Sequence, residues 1–403
     1  MSTIRVNAIQ NTTANDTNMT LFANGNVAIT TANTTLRVGN TVISNAGISV
    51  GGSAINPLAT GMRNRIINGD MRIDQRYSGA VANVQTGFSI TSYTVDRFGF
   101  ANSSSAVVTC QQSSIAPAGF ANSLSATVTT ADGSMGTTKY CGFRHNIEGN
   151  NIQDFSLGTS SAKTFTLSFW VRSSLAGIYC VVFANSAEDR LYPVEYTISA
   201  TNTWQQIIIT VSGDTTGTWL GGINKGLMIE WWLSMGSNYT GGTNNTWGGA
   251  NKYATTNQVN WLATNGNTFY ITGVQLEAGT IATPFEFRHY GQELALCQRY
   301  FYKTNLNNVN GAGNGGFGGG MYTTTTASMS GYWPVTMRAT PSSATRGGND
   351  HFYISNINGA ATGTLQNTNL SPSGMWTEVI SLQTSTVGMP IFYNGQLSVS
   401  AEL

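Results

Sequence analysis

Between Tyr93 and Glu277 the chain keeps returning to one pattern. Short runs rich in aromatic and β-branched residues, many alternating apolar with polar, are each closed by glycine, serine or asparagine. A period of two lays successive side chains on opposite faces of a strand and leaves a helix no apolar stripe. Thr164–Arg172, Ile178–Ala184 and Trp204–Val211 carry the pattern most strongly, and Gly226–Leu233 and Phe269–Glu277 follow it. In the first of these, Phe165, Leu167 and Phe169 share the buried face and Trp170 takes the other. Weaker runs at Arg65–Asn68, Met71–Ile73, Tyr93–Phe100, Ala106–Cys110, Ser125–Val128 and Tyr140–His145 with Ile147 bring the set to about ten strands, which suits an all-β, double-sheet jelly roll.

One stretch departs from this. Tyr270–Phe301 begins as an alternating strand with Ile271, Val274 and Leu276 apolar, and turns at Gly279 and Pro284. It then places Leu294, Leu296, Cys297, Tyr300 and Phe301 at the three-and-four spacing of an amphipathic helix. The spacing predicts one helix over 292–301, joining two β regions. Before them, residues 1–60 hold only tiny strands, at Met19–Phe22, Val27–Ile29, Thr35–Val38, Thr41–Ile43 and Gly47–Val50. Strands this short gain stability when identical chains wrap together and cover one another's edges. The expected division is therefore an oligomeric stem or attachment region over 1–60, a jelly roll over 61–288, a linking helix over 289–302 and a C-terminal β-sandwich tip over 303–403. Gly311–Gly320 reads as a glycine-rich loop without the Lys-Ser/Thr ending of a phosphate-binding loop.

Composition narrows the function. Charged residues make up 9% of 403 residues, with a formal net charge of +1, where a typical protein has about 25% charged residues. Capture of nucleic acid or of an anionic membrane needs clustered Lys and Arg, and there is no such cluster. No apolar run approaches the ~20 residues of a membrane span, and Met1–Asn7 lacks the apolar core of a secretory signal. A neutral surface of hydroxyls and amides suits life outside the cell or contact with polyhydroxylated ligands, and release by lysis inside a virus particle would need no export signal. Cys110, Cys141, Cys180 and Cys297 form no CxxC pair and read as buried thiols.

Three blocks carry a family resemblance: Arg65-Ile-Ile-Asn-Gly-Asp-Met-Arg-Ile-Asp-Gln-Arg76, Tyr93-Thr-Val-Asp-Arg-Phe98, and Ile271-Thr-Gly-Val-Gln-Leu-Glu277 continuing through Thr283–Arg288 to Glu293–Phe301. They resemble bacteriophage tail-fibre and related virion proteins, in which such blocks bracket a jelly roll similar to carbohydrate-binding modules. Trp333–Pro341 resembles a segment found downstream in the same proteins, and Phe98 and Phe301 stand where Trp and Tyr are usual. The resemblance implies a virion location, on the tail or the capsid, and a homotrimeric fibre. It also implies partners among other virion proteins, reached through the N-terminal region, and host surface polysaccharide. Modules of the jelly-roll type often hold a structural calcium, for which Asp70 and Glu277 are the corresponding oxygen donors; no other cofactor is implied.

Sugar rings stack their C–H faces on aromatic planes and bond their hydroxyls to Asn, Gln, Ser and Thr. The glycan-binding candidates are therefore Tyr239, Trp247, Tyr253 and Trp261, in a Gly/Asn/Thr-rich loop, with Tyr332 and Trp333 on the C-terminal domain. The competing reading packs these aromatics onto the sandwich or a neighbouring subunit. Gln275, Glu277, Pro284, Arg288, Leu294 and Tyr300 read as a structural junction. Asp70, Asp74 and Asp96 lie beside Arg72, Arg76 and Arg97, which favours ion pairs over a catalytic carboxylate pair. Glu188-Asp189-Arg190 reads as a loop salt bridge or part of a ligand site, and His145, His289 and His351 lack metal-ligand spacing. The leading expectation is non-catalytic adhesion to host glycans. A purely structural capsid or tail decoration is the alternative, and a polysaccharide-degrading tailspike the least supported.

Overall fold

The computed structural model describes residues 62–84, 92–304, 317–346, 351–354, 361, 363–394 and 396–403, together with the backbone of six short strands before residue 56. The chain divides into two compact units, Met1–Arg63 and Asn64–Leu403. In the first, β1 (Met19–Leu21) pairs with β2 (Val27–Ile29). A four-stranded antiparallel meander follows, from β3 (Leu36–Val38), β4 (Thr41–Ser44), β5 (Gly47–Val50) and β6 (Ser53–Ile55).

The second unit opens with the sandwich. Its strands are β7 (Ala82–Val84), β8 (Tyr93–Val95), β9 (Phe98–Asn102), β10 (Val107–Ser113), β11 (Ser123–Thr130) and β12 (Tyr140–Glu148), followed by β13 (Phe165–Ser173), β14 (Gly177–Ala184), β15 (Leu191–Ile198), β16 (Gln205–Val211), β17 (Lys225–Met235) and β18 (Thr268–Ala278). The first sheet runs β16-β13-β18-β11-β10-β7 and the second β15-β14-β17-β12-β9-β8, all antiparallel. Phe165, Leu167 and Phe169 point inward as expected and, with Val171, meet Phe143, Phe183, Ile229 and Trp231 of the second sheet in one core. Each such side chain contributes about 1.5–3 kcal/mol by leaving water.

The inward row of β18 changes phase, from Phe269 and Ile271 to Val274 and Leu276. The register against β13 shifts between Ser168 and Trp170, and Gly273 sits at φ +61 where a Cβ would press on the rings of Phe120 and Trp170. This is a β-bulge that only glycine fits.

Three expectations are corrected here. The blocks at 65–68 and 71–73 are not strands. Asn68 (φ 61) and Met71 (φ 58) break the extended backbone, and Asn64 and Asn68 side chains take over the pairing. Strand β15 was not anticipated, because Pro193 and Glu195 interrupt its apolar pattern; it lies at a sheet edge, where proline's missing N–H costs no ladder bond. Among the described residues the one α-helix is α1 (Tyr290–Gln298) rather than 292–301. Phe301 instead opens β19 (Phe301–Lys303).

The C-terminal region adds β20 (Phe317–Met321), β21 (Ala327–Tyr332), β22 (Ala344–Arg346), β23 (His351–Ile354), β24 (Thr364–Ser371), β25 (Gly374–Ile380), β26 (Pro390–Asn394) and β27 (Leu397–Ser400). A six-stranded sheet β23-β26-β20-β21-β25-β24 and a three-stranded sheet β19-β27-β22 enclose a core containing Phe317, Met329, Trp333, Val379, Ile391 and Leu397. Strand β20 occupies the end of the expected glycine loop. A Cβ on Gly319 would collide with the Ser328 carbonyl, so glycine there lets two strands close up. Residues 311–316 of that loop lie outside the described residues.

The junction between these regions is a buried seam. Ile67 and Ile73 of the opening block pack with Cys297 and Tyr300, flanked by half-buried Leu294, Leu296 and Leu403. Arg288 donates to the carbonyls of Asn64 and Ile66 and pairs with Glu293 and Glu286. The Glu293 carboxylate also accepts the Asn68 N–H. Gln275 donates to Glu277 and to the Thr283 carbonyl, Glu277 accepts from the Thr283 N–H and hydroxyl, and the Pro284 carbonyl lies 3.4 Å from the Gln275 amide. Of the six residues named from the sequence, Leu294 and Tyr300 pack in this seam and Arg288 bonds across it, while Gln275, Glu277 and Pro284 belong to the local network at the end of β18. Arg97 pairs with Glu402 rather than with a neighbouring aspartate, and its guanidinium lies 3.5 Å from the Tyr300 ring. Burial pushes Asp96 up to about 6, although Arg76 and Gln75 hold it down.

Candidate functional site

The second sheet turns one face inward and leaves the other to be covered by loops. On that outer face the register sets Tyr140 opposite Met235, Gly142 opposite Trp232 and Arg144 opposite Glu230. A Cβ on Gly142 would press on the Trp232 ring, so glycine lets the indole lie across the sheet. The loop after β17 then passes over this face, strapped by Gly242 N–H to the Ala254 carbonyl, Asn245 N–H to the Pro193 carbonyl and Val259 N–H to the Ile178 carbonyl. Tyr253 and Ala254 both donate their N–H to the Tyr239 carbonyl, which brings Tyr239 and Tyr253 together.

Four rings close into a circuit. Tyr140–Trp232 (5.5 Å), Trp232–Tyr253 (6.0 Å), Tyr253–Tyr239 (5.8 Å) and Tyr239–Tyr140 (6.2 Å) are all edge-to-face. They wall a cleft of about 160 Å³ whose remaining lining is Arg144, Glu188, Met235 and Asn251.

The polar side of the cleft is braced from beneath. Arg144 is buried and pairs with Glu230, which has no exposed surface, and with Glu188 at 2.9 Å. Asn185 builds the turn that delivers Glu188: its side-chain oxygen accepts the N–H of Asp189 and Arg190, and its carbonyl accepts the N–H of Glu188. Glu188 is held left-handed at φ 55, and its second oxygen accepts the Tyr253 hydroxyl at 2.5 Å. Burial works against the Arg144 charge, but the two carboxylates outweigh it and hold its pKa up. Burial raises Glu230 against the pull of Arg144. Burial and then the Glu188 carboxylate push the Tyr253 phenol far up, so it stays a donor.

Of the residues named from sequence, Tyr239 and Tyr253 meet in this cleft. Trp247 faces away from it, donating its indole N–H to the Ser212 carbonyl at 2.8 Å and packing on Tyr192 and Trp219. Trp261 is fully buried in the sandwich core. Trp333 is 6% exposed, its N–H held by the Ser371 carbonyl, whereas Tyr332 is 84% exposed. Tyr140, Arg144, Trp232 and Asn251 were not singled out from sequence, since only the β12–β17 register and the loop's path bring them together. Glu188 carried a signal, an acidic loop after a strong strand. Asp70 is paired with Arg72 at 2.9 Å and Glu277 is bonded by Thr283. Among the described residues no group of three or more His, Cys, Asp or Glu is placed to hold a metal. His145 is buried beside Phe98, and the four cysteines are buried and unpaired.

No protein-family model matches the sequence, and no curated protein matches it. Similar solved structures include the enzymatically active domain of tailspike protein 4 of bacteriophage CBA120, at 12% identity and a TM-score of 0.29. That match covers 54% of this chain and 22% of the tailspike chain. A family 11 carbohydrate-binding module of a cellulosomal cellulase of Clostridium thermocellum is similar at 14% identity and a TM-score of 0.26, over 50% of this chain and 98% of the module. A protein from Bacteroides thetaiotaomicron with an inferred sugar-binding role is similar at 11% identity and a TM-score of 0.32, over 54% of this chain and 100% of that one. At TM-scores this low, the functional reading has to come from the side chains.

Proposed function

We propose that this chain is a non-catalytic, glycan-binding fibre protein of a bacteriophage particle, and that the cleft over the second sheet takes a sugar. The carrying observation is the circuit of Tyr140, Trp232, Tyr253 and Tyr239 around an open space edged by Arg144, Glu188 and Asn251. Rings standing edge-to-face give a sugar apolar walls on several sides, and the charged and amide groups supply hydroxyl partners. A cleft of about 160 Å³ is below the ~300 Å³ at which drug-sized ligand pockets begin. It suits one sugar unit at the end or branch of a chain.

Binding is favoured over hydrolysis by the state of the two carboxylates. Glycoside cleavage uses a pair that both reach the substrate. Here Glu230 is sealed beneath Arg144, leaving Glu188 as the one acid lining the cleft. The opening and closing blocks that resemble phage fibre proteins form the buried seam of the second unit, which supports the virion reading. In that reading the short N-terminal strands join three copies and attach them to the particle, and repetition of a weak site supplies avidity. Glycan-array binding by the full chain, with and without Tyr253→Ala, tests the site. Binding that survives the substitution unchanged refutes it. Labelling of the protein on intact particles tests the location.

A further inference from the structure

The C-terminal six-stranded sheet has an outer face that the cleft does not involve. Ser328, Ser330 and Tyr332 point outward from β21, and Trp376 points outward from β25. The register sets Ser330 and Asn369 on either side of Trp376, and Gly374 opposite Tyr332. Gly374 has no side chain to offer, and a Cβ there would collide with the Gly331 carbonyl, so the space beside Tyr332 stays open. Tyr332 and Trp376 are therefore diagonal neighbours across an open position, about 7–8 Å apart at the backbone.

Both rings stand clear of the sheet, Tyr332 84% and Trp376 38% exposed. The Trp376 indole N–H donates to the Ser328 hydroxyl at 2.8 Å, which fixes the ring and leaves a face free. The groove between them has a volume of about 330 Å³, inside the range of about 300–1,000 Å³ typical of ligand sites. None of its ten lining residues is charged, and six of them are Ser, Asn or Gly.

We infer that this groove binds a neutral polysaccharide chain, with Trp376 and Tyr332 stacked on nearby sugar rings and Ser330 and Asn369 beside the hydroxyls. The absence of charge disfavours an anionic polysaccharide, a nucleic acid or a charged peptide, each of which needs a countercharge to replace its hydration. The open hydroxyl- and amide-edged floor disfavours a second copy of this chain, because the buried core of a self-interface is more apolar than this face. The site is separate from the cleft and holds whether or not the cleft takes a sugar.

The test is affinity electrophoresis of the full chain through gels carrying β-glucan, mannan or galactan, with alginate as the anionic control. The variants are Tyr332→Ala, Trp376→Ala, the double substitution, and Tyr253→Ala. Retardation by at least one neutral polymer is expected, weakened about tenfold by either single groove substitution, reduced by the double to no more than the cleft alone gives, and kept at least in part by Tyr253→Ala. Unchanged melting temperatures for the groove variants, expected because both rings are exposed, exclude unfolding as the cause. No retardation by any neutral polymer overturns the proposal, as does retardation by alginate alone or loss of all retardation with Tyr253→Ala. Self-association in ultracentrifugation that the double substitution abolishes would assign the groove to a second copy instead.

Discussion

Two buried arginines in this protein do the same chemistry in opposite surroundings. Arg97, in the seam, pairs with Glu402, donates to the Asn146 carbonyl at 2.5 Å and lies on the Tyr300 ring. Arg144, beneath the cleft, pairs with Glu230 and Glu188. Around Arg97 the space is filled by Tyr93, Tyr300 and the returning chain at 402–403. Around Arg144 one side opens between four aromatic rings. A buried ion pair gives little net stability of itself, but removing one partner is costly where the other cannot reach water. The same pair is thus a clamp in the seam and a brace at the cleft, and what separates the two roles is open space.

The strongest way to break this comparison is to remove the clamp. Arg97→Met leaves Glu402 with Arg76 as its one remaining partner in the seam and should lower unfolding free energy by up to about 3 kcal/mol, read by urea denaturation. Restoring most of that loss by adding Glu402→Gln would show that the under-compensated charge, not lost packing, is responsible. Tyr300→Ala empties the site beneath Arg97 and should cost about 3 kcal/mol or more; a cost below 1 kcal/mol would mean that the seam closes without it.

A third test uses pH. Burial holds the His145 imidazole well below its ordinary 6.5, with Arg97 adding to the effect. Below about pH 6.5 the unfolded chain takes up a proton that the folded chain refuses, so stability falls as pH falls, by at most about 1.4 kcal/mol per pH unit. Asp96, raised to about 6, works the other way: the folded state takes up its proton first, offsetting part of the loss between about 6 and the ordinary aspartate value of 3.8. Melting temperature should therefore drop from pH 7 towards 6 and flatten below. His145→Leu should remove the drop, and a drop that persists would place its origin elsewhere. The smallest stability effect belongs to the brace. Glu188→Gln, still able to bond Tyr253, should change stability by no more than about 1 kcal/mol, while calorimetry should show weaker sugar binding.

How far the sequence could be read follows the range of the interactions. The sandwich was legible because Phe165, Leu167 and Phe169 declare their face within one strand. The opening block was not, because Ile66, Ile67, Met71 and Ile73 look like strand residues until Asn64 and Asn68 side chains supersede the ladder. Half of the aromatic cleft was legible in Tyr239 and Tyr253, which belong to one loop. The other half sits on β12 and β17, separated by about ninety residues of sequence, and only their register joins it. The aromatic-loop signal did not separate Trp247 and Trp261, which turn inward, from the two tyrosines. On the C-terminal sheet the error was one of parity: Trp333 follows the outward-facing Tyr332 and so points to the core.

The pairing of Glu402 with Arg76 and Arg97 spans 326 and 305 residues of chain, and Arg288 reaches back 224 residues to Asn64. Loop closure must be completed before such contacts return any energy, so a fold that depends on them matures slowly. On the ribosome the sandwich strands emerge long before the carboxylate that neutralises Arg97. The seam can lock only after residue 402 has left the exit tunnel, and until then Arg97, Tyr300 and the edges of the opening block stay open to wrong partners. Closure of the seam is therefore timed by synthesis, because the opening block and the sandwich are made well before the residue that seals them.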